Sequence, residues 1–104
     1  MQVLRRCLKT WESKKLKKFK YSVTFKKDIK RIKRRGKDFS KLKQVIDLIV
    51  RGESLPRFYR DHVLIGNYVH RRECHIENDW LLVYKLERES VVFERTGTHS
   101  DLFK

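Results

Sequence analysis

The sequence predicts an α+β domain in which a hairpin of two helices packs on a mostly antiparallel four-stranded sheet, in the order β-α-α-β-β-β. The first observation is a hairpin signature, in which residues 80–86 and 90–96, rich in β-branched and aromatic side chains, flank a short polar stretch. The second is a pair of earlier segments whose apolar residues recur at helical spacing and which each end at a glycine. Both patterns fit one compact sheet with its helices on one face.

The length of 104 residues is that of one domain with a single modest core. No apolar run is long enough to span a bilayer, and the N-terminus lacks the apolar stretch of a secretory signal. Two cysteines, Cys7 and Cys74, are too few to suggest a disulfide scaffold. These features predict a protein of the reducing cytoplasm with no membrane segment.

Basic charge is concentrated in the first half of the chain. The formal net charge is +14, and residues 1–52 hold 19 Lys/Arg against 4 Asp/Glu, whereas residues 53–104 hold 8 against 9. A basic half indicates a polyanionic partner, above all nucleic acid, or an acidic protein. We therefore expect the first half to supply electrostatic binding and the second half to supply the chemistry.

The N-terminal residues 1–20 are interpreted as a basic arm or a short helix, set apart from a domain over residues 21–104. Apolar residues at helical spacing favour the helix, and the lysines that follow Ser13 favour the arm. The alternating segment 21–25 predicts the first strand. Residues 26–35 predict a helix with a strongly basic outer face, which Gly36 ends.

A second helix is predicted to follow at once, with Asp38 or Ser40 as its cap and Gly52 at its end. Its apolar stripe is formed by Leu42, Val45, Ile46 and Ile49. Two helices joined by so few residues are expected to form a hairpin. Residues 55–66, which contain the single proline, are interpreted as a loop over the sheet edge.

The last three strands are predicted to form an antiparallel meander. In the strand over residues 68–76, Cys74 and Ile76 fall on one face and Glu73 and His75 on the other. A turn at residues 77–79 leads into the strand 80–86. Its alternation puts Leu81 and Val83 on one face, and on the other Trp80, Leu82, Tyr84 and Leu86. A central strand that is apolar on both sides can bury Trp80 in the core.

Residues suited to acid–base chemistry and anion binding cluster near the C-terminus. All four histidines lie between residues 62 and 99, in company with Asp79 and Arg95. Histidine exchanges protons near neutral pH, and arginine donates hydrogen bonds to phosphate in pairs. A straight strand would separate Arg95 from His99 by about 13 Å. Both can reach one phosphate only if the chain bends, and Gly97 is the expected place.

The order of these residues carries a resemblance. Written along the chain, the pattern is DH…RECHIENDWLLVYKL…ERTGTHSDLF, within residues 21–103. It resembles the YafQ branch of the RelE/ParE superfamily of bacterial toxins. The resemblance implies a RelE-like fold and a ribonuclease that cuts messenger RNA on the ribosome. It also implies an antitoxin that silences the toxin in a hetero-oligomer, and an acidic antitoxin would complement the basic surface.

The resemblance assigns functional positions to seven residues of this chain: His62, His75, Asp79, Trp80, Arg95, His99 and Phe103. Metal-independent RNA cleavage needs a base for the 2′-hydroxyl, a cation for the phosphorane and an acid for the leaving oxygen. His99 is the candidate acid and Arg95 the candidate phosphate ligand. Asp79, His75 and His62 compete for the base and positioning roles. His70 matches no functional position and is interpreted as a surface histidine.

Substrate contacts are expected from two further sets of residues. The resemblance favours base stacking or site shaping for Phe103, and for Trp80 stacking and burial remain open alternatives. The basic face of the first helix is expected to bind the phosphates of ribosomal RNA and messenger RNA through Lys30, Arg31 and Arg34. Phosphate contacts of this kind supply affinity without sequence choice.

The sequence argues against a metal or another cofactor. Cys74 and His75 are adjacent on a strand and point to opposite faces, and no CxxC or HxxxH spacing is present. Two other functions remain open. A ParE-like toxin would act on DNA gyrase with the same fold, although four histidines argue against it. A non-catalytic basic RNA-binding protein would explain the charge but leave the histidine cluster unused.

Overall fold

The structure, a computed structural model, describes residues 17–64 and 70–103. Most of the predicted basic arm, residues 1–16, lies outside the described residues. The described residues form five strands: β1 (Lys18–Tyr21), β2 (His62–Val63), β3 (Arg71–Glu77), β4 (Trp80–Leu86) and β5 (Ser90–Gly97). The helices are α1 (Val23–Arg34), α2 (Phe39–Val50) and α3 (His99–Leu102), with a 3-10 turn at Arg57–Tyr59.

The described strands form one sheet in the order β1-β5-β4-β3-β2. β1 runs parallel to β5, and the other neighbours are antiparallel. The predicted α+β class is confirmed, with five strands in place of four. The additional strand lies inside the segment predicted to be a loop, because His62 and Val63 pair with Glu73 and Arg72 at the edge of β3.

The first strand lies earlier than predicted. β1 ends at Tyr21, and the segment expected to continue it forms the first turn of α1. Ser22 causes the change, since its Oγ accepts a hydrogen bond from the backbone N of Phe25 at 2.9 Å and donates one to the Glu94 carbonyl at 2.9 Å. A side-chain cap at the helix start outweighs the weak strand preference of the β-branched residues that follow.

The helix hairpin agrees with the periodicity. Gly36 has a φ of +82° after the last residue of α1, which is the left-handed geometry that favours glycine at a helix end. Asp38 caps α2 by accepting a hydrogen bond from the backbone N of Ser40 at 2.9 Å. The buried residues of α2 are those of the predicted stripe, Leu42, Val45, Ile46 and Ile49.

Two apolar clusters lie on opposite faces of the sheet. The main core joins α1 and α2 to the sheet and contains Trp80, Leu82 and Tyr84 from β4. Leu81 and Val83 of the same strand face the other way and pack with Leu102, Leu64 and Phe103. The predicted alternation of β4 is confirmed over residues 80–84. Across residues 17–64 and 70–103, no helix has the length and apolar character needed to cross a bilayer.

Candidate active site

Three of the four histidines come together at one end of the sheet. His62 lies on β2, His75 on β3 and His99 at the start of α3. The ring centres of His62 and His75 are 6.5 Å apart, those of His75 and His99 are 6.0 Å apart, and Phe103 lies 6.3 Å from His99. We call these four rings the histidine row. His70 lies outside these ring contacts as an exposed residue with a φ of +70°, in line with the surface role predicted for it.

His99 is held by Asp79, as a candidate acid should be. Oδ1 of Asp79 accepts a hydrogen bond from the His99 backbone N at 3.0 Å and lies 3.0 Å from Nδ1 of the ring. These hydrogen bonds lower the pKa of Asp79 below its usual value. An ionised carboxylate only accepts, so Nδ1 carries a proton and Nε2 is left for exchange with a ligand. The His99 side chain is 57% exposed.

His75 has the opposite environment. Its side chain is largely buried, and burial, followed by the positive charge of Arg60, lowers the pKa of the ring. Nη2 of Arg60 lies 3.2 Å from Nδ1 of His75. A guanidinium can only donate, so Nδ1 is the acceptor and the proton of the neutral ring is on Nε2. At neutral pH His75 is therefore in the form that a general base needs, and Arg60 occupies its lone pair.

His62 is placed between two acceptors. Its Nδ1 lies 2.8 Å from the carbonyl oxygen of Arg60, and its Nε2 lies 3.3 Å from Oε2 of Glu73. A doubly protonated ring satisfies both contacts at once. Glu73 is only 6% exposed, and its Oε2 is also 3.8 Å from Nε2 of His75. One buried carboxylate thus faces two histidines of the row.

Arg60 and Glu73 are site residues that the sequence reasoning did not single out. Arg60 follows the 3-10 turn with a φ of +49°, a left-handed conformation that is uncommon for a residue with a side chain. Glu73 was placed by alternation on the same strand face as His75, and that placement was the signal available for it. The position of Arg60 depends on the tertiary path of the loop, which no local pattern in the sequence indicates.

The chain bends at Gly97, as predicted. β5 ends at this residue, and α3 begins two residues later at His99. Gly97 has a φ of +152°, and a Cβ atom built on it would lie 2.7 Å from Oδ2 of Asp101. Thr98 and Asp101 form a capping box at the start of α3. The turn therefore requires both the backbone freedom and the small size of glycine.

Arg95, the candidate phosphate ligand, is bound to a buried carboxylate. Its Nε donates to Oδ2 of Asp28 at 2.8 Å, and its Nη2 lies 3.4 Å from the backbone carbonyl of Asp101. Asp28 is fully buried in α1. These contacts fix the guanidinium beneath α3, the helix that begins with His99.

Trp80 does not have the substrate-binding role that was one of its two predicted alternatives. It is 1% exposed, and its Nε1 donates to Oγ1 of Thr96 at 2.9 Å. The ring is part of the main core, because β4 is buried on both faces. Phe103 is only partly buried and adjoins His99, so the stacking role predicted for it remains a proposal.

The three cations expected to bind phosphate differ in their surroundings. Lys30 and Arg34 are exposed on α1. Arg31 is only partly exposed, since its Nη1 lies 3.3 Å from Oδ1 of Asp28 and 3.7 Å from Oδ1 of Asp101. Its guanidinium already serves two carboxylates, so we assign Arg31 primarily to holding α1 against α3.

No metal site is evident in the part of the chain that the structure describes. Within residues 17–64 and 70–103, no group of three or more His, Cys, Asp or Glu side chains is arranged to hold an ion. The sulfur of Cys74 is buried in the main core, and burial raises the pKa of its thiol. Cys74 is therefore a core residue rather than a nucleophile.

Comparisons with known proteins agree with this fold. The mRNA interferase toxin YafQ of Escherichia coli K12 is 44% identical over 84 residues, 80% of this chain and 91% of that protein. YafQ in the E. coli DinJ–YafQ toxin–antitoxin complex superimposes with a TM-score of 0.82 at 41% identity, over 86% of this chain and 100% of that one. A metal-bound toxin from Helicobacter pylori gives 0.80 at 33% identity, over 85% and 100%.

The family assignment rests on most of the chain. The sequence model of the family described as "bacterial toxin of type II toxin-antitoxin system, YafQ" matches residues 17–104. That range includes β1 to β5, the helix hairpin and every residue of the histidine row. The resemblance noted in the sequence is confirmed: the chain belongs to the YafQ family of bacterial toxins of type II toxin–antitoxin systems.

Proposed function

We propose that this protein is a toxin that cleaves messenger RNA on the translating ribosome, without a metal, by attack of a 2′-hydroxyl on the adjacent phosphate. The observation that carries the proposal is the Asp79–His99 pair, set beside the neutral ring of His75 in one row. Two imidazoles in different protonation environments are what a base and an acid for one phosphate require. The relatives named mRNA interferase support the choice of substrate.

In this scheme His75 takes the proton of the 2′-hydroxyl and His99 gives a proton to the leaving 5′-oxygen. The products are a 2′,3′-cyclic phosphate and a 5′-hydroxyl. Arg60 holds Nδ1 of His75 in the free protein, and an RNA phosphate that attracts Arg60 would release this lone pair. Asp79 suits the positioning role better than the base role, because its lowered pKa makes it a weak base.

Charge on α1 supports docking on ribosomal RNA. Its exposed lysines and arginine lie on the outer face of the hairpin and comprise Lys26, Lys27, Lys30, Lys33 and Arg34. Backbone phosphates are the natural ligands of such a surface, and their binding weakens with salt. The proposed action on ribosomes implies a cytoplasmic location. By analogy with the DinJ–YafQ complex, a cognate acidic antitoxin would cover the basic and catalytic surfaces in a hetero-oligomer.

Primer extension on messages from cells briefly expressing the protein tests the proposal. Discrete cuts in frame with translation, lost in His99→Ala, are the expected result. Growth arrest with changed DNA supercoiling and uncut messages would point instead to a gyrase inhibitor. RNA binding that persists without any cleavage on purified ribosomes would leave a basic binding protein.

A further inference from the structure

We propose that Asp28 is a positioning residue for RNA cleavage, which holds Arg95 in place and, through Arg95, orients the active site. The inference rests on the proposed function and adds to it a residue outside the histidine row. Asp28 is the one acidic residue of α1, among six lysines and arginines in that helix. It faces inward, whereas those basic residues are exposed or only partly buried.

The carboxylate of Asp28 lies beyond the point where β5 stops pairing with β1, while its pairing with β4 on the other edge continues. β1 pairs with β5 as far as Tyr21 and Phe93, and Ser22 adds one further hydrogen bond to the Phe93 carbonyl. Beyond this point the backbone N of Thr96 donates to Oδ2 of Asp28 at 3.1 Å. A side chain from α1 thus takes the place of a neighbouring strand for the last part of β5.

The same carboxylate fixes Arg95. Nε of Arg95 donates to Oδ2 of Asp28 at 2.8 Å, and Nη1 of Arg31 lies 3.3 Å from Oδ1. The side chain of Asp28 has no exposed surface, while that of Arg95 keeps 30% of its own. Part of the Arg95 side chain is therefore accessible to solvent, while the hydrogen bond to Asp28 fixes the orientation of its guanidinium. That is the geometry expected of a preorganised phosphate ligand.

Asp28 is also linked to the helix that carries His99. Arg31 lies between Asp28 and Asp101, and Nη1 of Arg35 donates to Oδ2 of Asp101 at 2.7 Å. The hydrogen bond from Arg35 is the main reason that the pKa of Asp101 lies well below its usual range. We call Asp28, Arg31, Arg35, Arg95 and Asp101 the ion-pair network. The network connects α1, β5 and α3, and α3 is the helix that begins with His99 of the histidine row.

Stability alone is a weak reason for this arrangement. Burying a carboxylate costs free energy that its ion pairs repay only in part, and an apolar residue of similar size often serves a core equally well. The buried carboxylate instead fixes the orientation of Arg95, because it accepts hydrogen bonds from both the Arg95 side chain and the Thr96 backbone. A displacement of about 1 Å in such a group can lower a rate by about a hundredfold.

The test uses Asp28→Asn in the full chain, assayed on ribosomes programmed with one message. We expect kcat to fall about tenfold or more with a much smaller change in KM, since phosphate docking on α1 is unaltered. Asp47→Asn is the matched control, because it removes an exposed carboxylate from α2, and should leave both constants unchanged. If Asp28→Asn folds poorly, Asp28→Glu keeps the charge and displaces the carboxylate by one methylene, with the same fall in kcat expected.

A double-mutant cycle separates positioning from a general effect on the fold. In the background of Arg95→Lys, Asp28→Asn should change kcat by less than about twofold, because the two residues act as one unit. In parallel, the 15N NMR signal of Arg95 Nε should shift and exchange faster with solvent in Asp28→Asn, a readout that needs no cleavage.

Three outcomes would overturn the inference. Folded Asp28→Asn and Asp28→Glu with wild-type kcat would do so, as would an equal effect of Asp28→Asn with and without Arg95→Lys. An unchanged Arg95 Nε signal in folded Asp28→Asn is the third. If the wild-type protein cuts no message at all, the proposed function fails, while the NMR comparison still reports whether Asp28 holds Arg95.

Discussion

The histidine row and the ion-pair network lie side by side but are built in opposite ways. In the row, His99 is more than half exposed and is held by one carboxylate, Asp79. In the network, Asp28 is fully buried, accepts hydrogen bonds from Arg95 and the backbone of Thr96, and forms an ion pair with Arg31. His99, the proposed acid, is therefore open to a substrate, whereas Asp28, the proposed positioning residue, is enclosed by its partners.

The largest effect is expected in the row, from His99→Ala. Loss of a general acid typically lowers a rate by about 10²–10⁴-fold, and an exposed side chain contributes little to folding. Cleavage on purified ribosomes and thermal unfolding are the two measurements. His70→Asn is the control, since asparagine tolerates the positive φ of that residue. An equal loss of cleavage rate in the two variants, or a large fall in Tm for His99→Ala, would contradict the proposed role of His99 as general acid.

The second-largest effect is expected from Gly97→Val, because Gly97 lies between Arg95 of the network and His99 of the row. Valine there would take up a φ of +152° and bring its Cβ within 2.7 Å of Asp101 Oδ2, so the Asp101 side chain, which caps α3, must shift. We expect cleavage to fall more than about tenfold and stability to fall by about 1–3 kcal/mol.

Gly52→Val is the matched control for Gly97→Val. Gly52 has a φ of +74° but nothing within 4 Å of an added Cβ, so valine there carries the backbone strain without the clash at Asp101. It should lose stability and keep its cleavage rate per folded molecule. Intact cleavage in Gly97→Val would mean that Arg95 and His99 do not depend on the bend.

Arg60→Ala tests the electrostatics of the row. Removing this positive charge should raise the pKa of His75 toward its ordinary value, leaving burial as the main remaining cause that lowers it. The pKa of His75 is lower in the folded state than in the unfolded state, so this histidine destabilises the fold as pH falls below about 6.5. The destabilisation should be smaller in Arg60→Ala.

An NMR titration of the His75 ring gives the pKa in Arg60→Ala directly. Arg57→Ala, on the same 3-10 turn, removes an equal charge and is the control. A His75 pKa that is unchanged in Arg60→Ala would show that the charge of Arg60 does not control the protonation of this histidine.

The smallest effect is expected from Arg35→Ala, which removes an exposed partner of the network. Because Arg35 depresses the pKa of Asp101, the pair stabilises the fold above the ordinary carboxyl pKa of about 3.9. That contribution is lost as pH falls further. Solvent screens the pair, so the decrease in Tm at pH 7 should be a few degrees at most and should narrow toward pH 2.

Thermal unfolding as a function of pH is the measurement for Arg35→Ala, with Arg34→Ala as the control for removing one charge from the same helix end. A decrease in Tm that is equally large at pH 2 would mean that Arg35 contributes by packing rather than by its ion pair.

Local sequence patterns determined much of this protein. The helical stripe of α2, the alternation along β4 and the glycine at the bend each depend on spacing within one segment, and all three agree with the structure. The α+β class followed from the order of these segments. The clustering of four histidines indicated a functional stretch, and the family resemblance, rather than any spacing, selected His62, His75 and His99 from among them.

The tertiary structure alone decided the partners of individual side chains. Trp80 was open to two interpretations until both faces of β4 proved to be covered. The pairing of Asp28 with Arg95 joins residues 67 positions apart, and that of Arg60 with His75 depends on the path of a loop. Periodicity records which face a residue occupies, but not which residue from another segment meets it there. That choice is made by packing, which brings distant segments together and leaves each buried charge only the partners within its reach.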